Sequence, residues 1–81
     1  MAHLSVDKQG NSVDLQVNLD FYPRPQVILA ARDFSGSCWV NVSDSKNGFV
    51  SISLKPKSPG ADVSLVGHEF FNYLLSLVRS R

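Results

Sequence analysis

The sequence contains a single cysteine, few charged residues and no long hydrophobic run. Because Cys38 has no second cysteine to pair with, no internal disulfide is expected. Charged residues make up 19% of the 81 residues and the formal net charge is +1, so no long-range field would draw the chain to nucleic acid or to an anionic membrane. The first ten residues, MAHLSVDKQG, lack the apolar core of a signal peptide. We therefore expect a cytoplasmic protein without a membrane span.

Residues that commonly carry chemistry are scattered along the chain. A metal site needs three or four convergent ligands, and the pair His68-Glu69 shares no recurring spacing with His3 or Cys38. Cys38 alternates in phase with apolar neighbours, which indicates a buried thiol and not a nucleophile. We therefore expect no enzyme activity from this chain alone, with no catalytic residue, no metal and no cofactor, although a partner chain could supply half of a site.

Alternation of apolar and polar residues predicts four β-strands. The clearest is VDLQVNLDF, residues 13–21, in which five apolar residues alternate strictly with four polar ones. Residues 3–8 alternate in the same way and are expected to pair with it as a hairpin, within a segment, 1–10, that can fray. Residues 38–43 and 50–55 flank a turn-rich stretch ending in Asn47-Gly48, which predicts a second hairpin with a loop longer than two residues.

Two helices separate and follow these hairpins. Pro25 suits the first turn of a helix that runs to about Phe34. Gly36, just beyond it, is predicted to end this helix in the left-handed conformation. The second helix is expected to begin near Asp62, a good N-cap residue. The resulting order, ββαββα, predicts a single α+β domain over residues 1–81, a two-layer sandwich with both helices on one face of a mostly antiparallel sheet. The other sheet face is predicted to be polar, carrying Asp14, Gln16, Asn18, Asn41, Ser43, Ser51 and Ser53.

The C-terminal helix is apolar over most of its circumference. One stripe consists of Val66, Phe70, Tyr73, Leu74 and Leu77. A second row, formed by Phe71, Leu75 and Val78, widens the apolar face beyond the usual ~100°. Two interpretations stay open. Either the helix is the central one and its own domain covers it, or the second row docks a second copy or a different protein.

Two aromatic residues are out of phase with the core of the second hairpin. Trp39 and Phe49 are therefore predicted to lie on the polar face of the sheet. They could contact a protein, form a plain cross-strand aromatic pair, or stack on nucleic-acid bases. In the last case the candidate phosphate contacts are Lys46, Lys55, Lys57, Arg79 and Arg81.

Part of this pattern also occurs in a known family. In FYPRPQVILAARDFSGSCWVNVS, a strand ends in Tyr22, a short helix has the central pair Ala30-Ala31 and an aromatic near its end, and a strand with a cysteine and an aromatic follows. The closing FFNYLLSLVRSR has a leucine pair near an asparagine, although Tyr73 and Ser76 stand where the family motif is acidic. This arrangement resembles the small HxsD family of the His-Xaa-Ser system. The resemblance implies an accessory protein of a bacterial or archaeal system in which radical-SAM-type enzymes modify a peptide with His-Xaa-Ser repeats.

The residues favour a non-enzymatic protein-binding or accessory module, acting as a homodimer or docking on a larger protein. Its predicted contacts are Trp39, Phe49, Phe71, Leu75 and Val78. The alternative is a small nucleic-acid-binding α+β domain, for which the low net charge makes nucleic acid the less favoured partner.

Overall fold

A computed structural model describes residues 3–7, 9–44 and 46–80 of the chain. Four strands and two helices follow one another in the predicted ββαββα order, and the α+β fold is confirmed. Their bounds are β1 His3–Asp7, β2 Ser12–Asn18, α1 Arg24–Phe34, β3 Cys38–Asp44, β4 Phe49–Pro56 and α2 Val63–Arg79.

The four strands form one open antiparallel sheet in the order β1-β2-β4-β3. As the two predicted hairpins require, β1 pairs with β2 and β3 pairs with β4. The two hairpins are joined by the pairing of β2 with β4, in which Leu15 lies opposite Ile52. The centre of the sheet is therefore β2 and β4, while β1 and β3 are its two edges. No helix in the described part of the chain is long and apolar enough to cross a membrane.

Both helices cover the face of the sheet that carries the apolar residues of the strands. α2 packs over β1, β2 and β4, whereas α1 packs on β3 and against α2. The helix α2 lies close to the sheet at Gly67, where an added Cβ would lie 2.8 Å from Val13 Cγ2. The core between the layers consists of Val13, Leu15, Val17, Tyr22, Val27, Ala30, Cys38, Val50, Ile52, Leu54, Phe70 and Leu74.

The opposite face of the sheet is open, as the alternation predicted. Its residues are exposed or half-buried, and most are small and uncharged. They include Ser5, Asp14, Gln16, Asn18, Asn41, Ser43, Ser51 and Ser53.

Of the residues predicted to start a helix, form a turn or end a helix, two are confirmed and one is wrong. Asp62 caps α2 by accepting hydrogen bonds from the backbone N–H groups of Ser64 and Leu65. Asn47 and Gly48 both have positive φ, as a tight turn requires.

The prediction of a left-handed cap at Gly36 is wrong. α1 ends at Phe34, its C-cap residue Ser35 has ordinary right-handed φ and ψ values of −67° and −16°, and Gly36 does not have positive φ. The backbone N–H and the hydroxyl of Ser35 both donate to the Arg32 carbonyl, and the Ser37 N–H donates to the Phe34 carbonyl. Lys57 Nζ donates to the Ser35 carbonyl at 3.0 Å. Since these groups satisfy the carbonyls at the helix end, no left-handed residue is required.

Candidate protein-contact surfaces

Trp39 is the largest side chain that the fold leaves exposed. It lies on the open face of the sheet, directly opposite Lys55 on β4, and 64% of it is accessible. Lys57 Nζ lies 4.4 Å from the centroid of the ring. The same ammonium group is hydrogen-bonded to the Ser35 carbonyl just beyond the end of α1, so one cation contacts both the indole and the helix end. The ring is therefore an exposed apolar surface in a polar setting.

Phe49 lies at the other end of the open face. It is half-buried and stands opposite Asn18, six residues along β4 from the residue that pairs with Trp39. At the rise of a β-strand, the two aromatics are about 20 Å apart. The interpretation of Trp39 and Phe49 as a cross-strand pair is therefore wrong. The two rings also do not form one platform on which successive bases could stack.

The basic residues proposed for phosphate contact are not gathered on one surface. Lys55 and Lys57 flank Trp39, whereas Lys46 belongs to the turn at the opposite end of the hairpin. Arg79 is in the last turn of α2, in the helix layer behind the sheet. Arg81 lies outside the described residues. The described cations therefore form no continuous track along the open face.

The second apolar row of α2 is half-buried. Phe71, Leu75 and Val78 pack against the edge of the core, and none of them is among the strongly exposed hydrophobic residues. Phe71 meets Tyr22 edge to face, with ring centroids 5.7 Å apart. The buried position of Tyr22, which follows β2, was not predicted from the sequence. The rest of the domain, including Tyr22, therefore covers part of the second apolar row of α2.

A side-chain hydrogen bond between the two helices stabilises their packing. The Tyr73 hydroxyl donates to the Asp33 carboxylate and thereby links α2 to α1. This hydrogen bond raises the pKa of Tyr73, and burial and the negative charge of Asp33 act in the same direction. Cys38 is buried, and among the described residues no three His, Cys, Asp or Glu side chains cluster so as to hold a metal ion.

Three further large hydrophobic residues are exposed. Phe21 was predicted to lie on the buried side of a strand over residues 13–21, and this is wrong: β2 ends at Asn18, a turn follows, and 63% of Phe21 is exposed. Ile28 on α1 and Leu65 on α2 have exposed fractions of 48% and 56%. Periodicity could have found Ile28, which lies at the margin of the apolar face of its helix.

Comparisons of the chain with protein-family models, curated proteins and solved structures found no match. The resemblance to the HxsD family thus rests on the sequence pattern alone.

Proposed function

We propose that this chain is a non-enzymatic protein-binding module that contacts its partner through Trp39. The observation that carries this function is the exposure of a large aromatic ring, flanked by Lys55 and Lys57, on a sheet face whose other side chains are mostly neutral. Tryptophan is enriched at the energetic centres of protein interfaces, because it buries a large area and loses little side-chain entropy.

The surroundings of Trp39 favour a protein partner. Its neighbours on the open face are Lys55, one residue of β4 across, and Asn41, the next outward-facing residue of β3. Neutral serine, asparagine and glutamine residues fill most of the rest of this face, so a partner need not strip water from many charges. A polar rim around one aromatic anchor is the usual anatomy of a modest interface.

The HxsD resemblance indicates what kind of partner this would be. In that setting the chain is a cytoplasmic accessory protein, and its partner is a larger protein of the peptide-maturation system. Phe49 and the row Phe71, Leu75 and Val78 would then lie outside the centre of the contact, since all four are half-buried in the free chain.

A pull-down from native lysate with tagged protein tests this function. Trp39→Ala is the test variant and Phe21→Ala is its matched control, because both side chains are aromatic and equally exposed. We expect wild type and Phe21→Ala to recover a stoichiometric protein that survives high salt, and Trp39→Ala to lose it. Unchanged recovery by Trp39→Ala would contradict the proposed contact. Recovery that disappears with nuclease and with salt would instead indicate nucleic-acid binding.

A further inference from the structure

The hydrogen-bond phase of β3 decides which of its backbone groups are free. The Lys57 N–H donates to the Ser37 carbonyl at 2.9 Å, so this pair is a bonded one in the β3–β4 ladder. Bonded and non-bonded pairs alternate in an antiparallel ladder. The odd residues Trp39, Asn41 and Ser43 thus bond to β4, and the even residues direct their N–H and C=O groups outward. In the part of the chain that the structure describes, no hydrogen bond reaches the outward groups of Val40 and Val42.

A second contact confirms this phase. On the other side of β4, the Leu19 N–H donates to the Gly48 carbonyl at 2.9 Å. Because bonded and non-bonded pairs alternate along that ladder, the even-numbered residues of β4 bond to β2. The odd-numbered residues of β4 therefore bond to β3. Pro56, which has no N–H, accordingly falls at a non-bonded position opposite Cys38.

The β3 edge lacks the features that usually prevent edge-to-edge pairing. It is seven residues long, contains no proline or lysine, and carries its one charge at Asp44. Strand β1, the other edge, is only five residues long. Val40 and Val42 are half-exposed although they point toward the helix layer, whereas Ile52 and Leu54 beside them are fully buried. The β3 edge therefore exposes both unbonded backbone and apolar side chains.

The helix layer continues this edge. Arg24, Ile28 and Arg32 are spaced four residues apart and lie along one side of α1. The salt bridge from Arg24 Nη2 to Asp44 Oδ1, 2.8 Å long, shows that this side faces the β3 edge. The opposite side of α1 is held by α2, through the edge-to-face contact of Phe34 with Phe70. Ile28, 48% exposed, therefore lies beside the half-exposed valines of β3.

We infer that a second copy of this chain pairs with β3 in antiparallel orientation, about a two-fold axis through Asn41. In this register Val40 of each copy faces Val42 of the other at a bonded position, and Trp39 lies beside Ser43 of the other on the open face. The two sheets become one sheet of eight strands, and the two Ile28 side chains approach each other in the helix layer.

Charge complementarity favours a second copy over an unrelated strand. α1 runs antiparallel to β3, so that Arg24 lies beside the end of the strand and Arg32, about 12 Å further along the helix, lies toward its beginning. The two-fold axis brings Asp44 of one copy to the beginning of the other copy's β3, and hence toward its Arg32. Asp44 Oδ1 already accepts from Arg24 of its own chain, but among the described residues Oδ2 accepts no hydrogen bond and Arg32 has no salt-bridge partner. Each strand edge thus offers a free carboxylate oxygen at one end and an unpaired base at the other, as an antiparallel self-contact requires.

Sedimentation of the full chain over a wide concentration range tests this pairing. Ile28→Lys is compared with Leu65→Lys, since both residues are exposed helix-surface hydrophobics and only Ile28 lies at the β3 edge. We expect wild type and Leu65→Lys to dimerise and Ile28→Lys to stay monomeric, with circular dichroism showing that all three are folded. A wild-type chain that stays monomeric throughout would overturn the inference, as would a dimer lost in Leu65→Lys and kept in Ile28→Lys.

A charge exchange tests the register. Arg32→Asp should weaken the dimer, and adding Asp44→Arg should restore part of the loss, since the exchanged charges again oppose each other across the two-fold axis. Restoration is only partial because Asp44→Arg also removes the salt bridge to Arg24 of the same chain. Additive weakening in the double variant would exclude this register. Trp39 stays on the open face in the dimer, so self-association and recovery of a partner by the Trp39 surface can fail independently of each other.

Discussion

Helices of different length cover the two edges of the sheet. Over β1 and β2 lies α2, with 17 residues, and its apolar row Phe71, Leu75 and Val78 is half-buried against the core. Over β3 lies α1, with 11 residues, which leaves Ile28 exposed and two inward-facing valines half-exposed. Although α2 is far more apolar, each helix leaves one large apolar side chain exposed, Ile28 at 48% and Leu65 at 56%. The wide apolar face of α2 is therefore not matched by a wide exposed surface, because coverage depends on which elements adjoin a helix.

Two adjacent phenylalanines on α2 mark the limit of its covered side. Phe70 is fully buried and stacks edge to face on Phe34, whereas Phe71 is half-buried. We expect Phe70→Ala to lower the free energy of unfolding by about 3–5 kcal/mol, the usual cost of emptying a buried phenylalanine site. Phe71→Ala should cost clearly less. Urea unfolding of both variants measures the difference, and equal losses would show that α2 has no partly open side.

Leu75→Asp tests whether the half-buried row of α2 belongs to the core or to an interface. Since Leu75 is partly covered by its own domain, the variant should lose more than roughly half of the ~1.5–3 kcal/mol that full burial of a leucine contributes, because the new carboxylate is also partly desolvated. It should keep the association behaviour of the wild type. A folded, equally stable Leu75→Asp chain that no longer associates would move the contact from the β3 edge to α2.

The smallest expected effect concerns the hydrogen bond between the helices. Because the folded pKa of Tyr73 is raised, its contribution to stability is present below the unfolded tyrosine pKa of about 10 and is lost as pH rises through the folded value. Wild type should therefore lose stability more steeply above pH 10 than Tyr73→Phe, which has no phenol to ionise at this position. Unfolding curves across this range compare the two slopes, and parallel slopes would rule out the contribution.

The sequence was sufficient to predict the helices and strands but not which of them lie next to each other. Alternation identified the four strands, although it extended β2 to Phe21 where the strand ends at Asn18, and Asp62 identified the start of α2. Alternation assigns a residue to a face and is silent about its position along the strand, so it could not separate Trp39 from Phe49. The cap predicted at Gly36 failed because the Arg32 and Phe34 carbonyls at the end of α1 accept from the backbone N–H groups and hydroxyls of Ser35 and Ser37.

The candidate site was predictable only in part for the same reason. The exposure of Trp39 follows from its phase, but the openness of the β3 edge follows from strand order. Strand order arises from long-range pairing between the two hairpins, for which no local pattern in this sequence is diagnostic.

Amide hydrogen exchange along β3 tests the central claim about self-association, that this edge is where two copies of the chain pair. In Ile28→Lys, taken as the monomer, the N–H groups of Val40 and Val42 should exchange freely, while those of Asn41 and Ser43 stay protected by β4. In concentrated wild-type protein all four should be protected, because the outward groups are then bonded to the second copy. Free exchange of Val40 and Val42 in the wild type at every concentration would contradict the account.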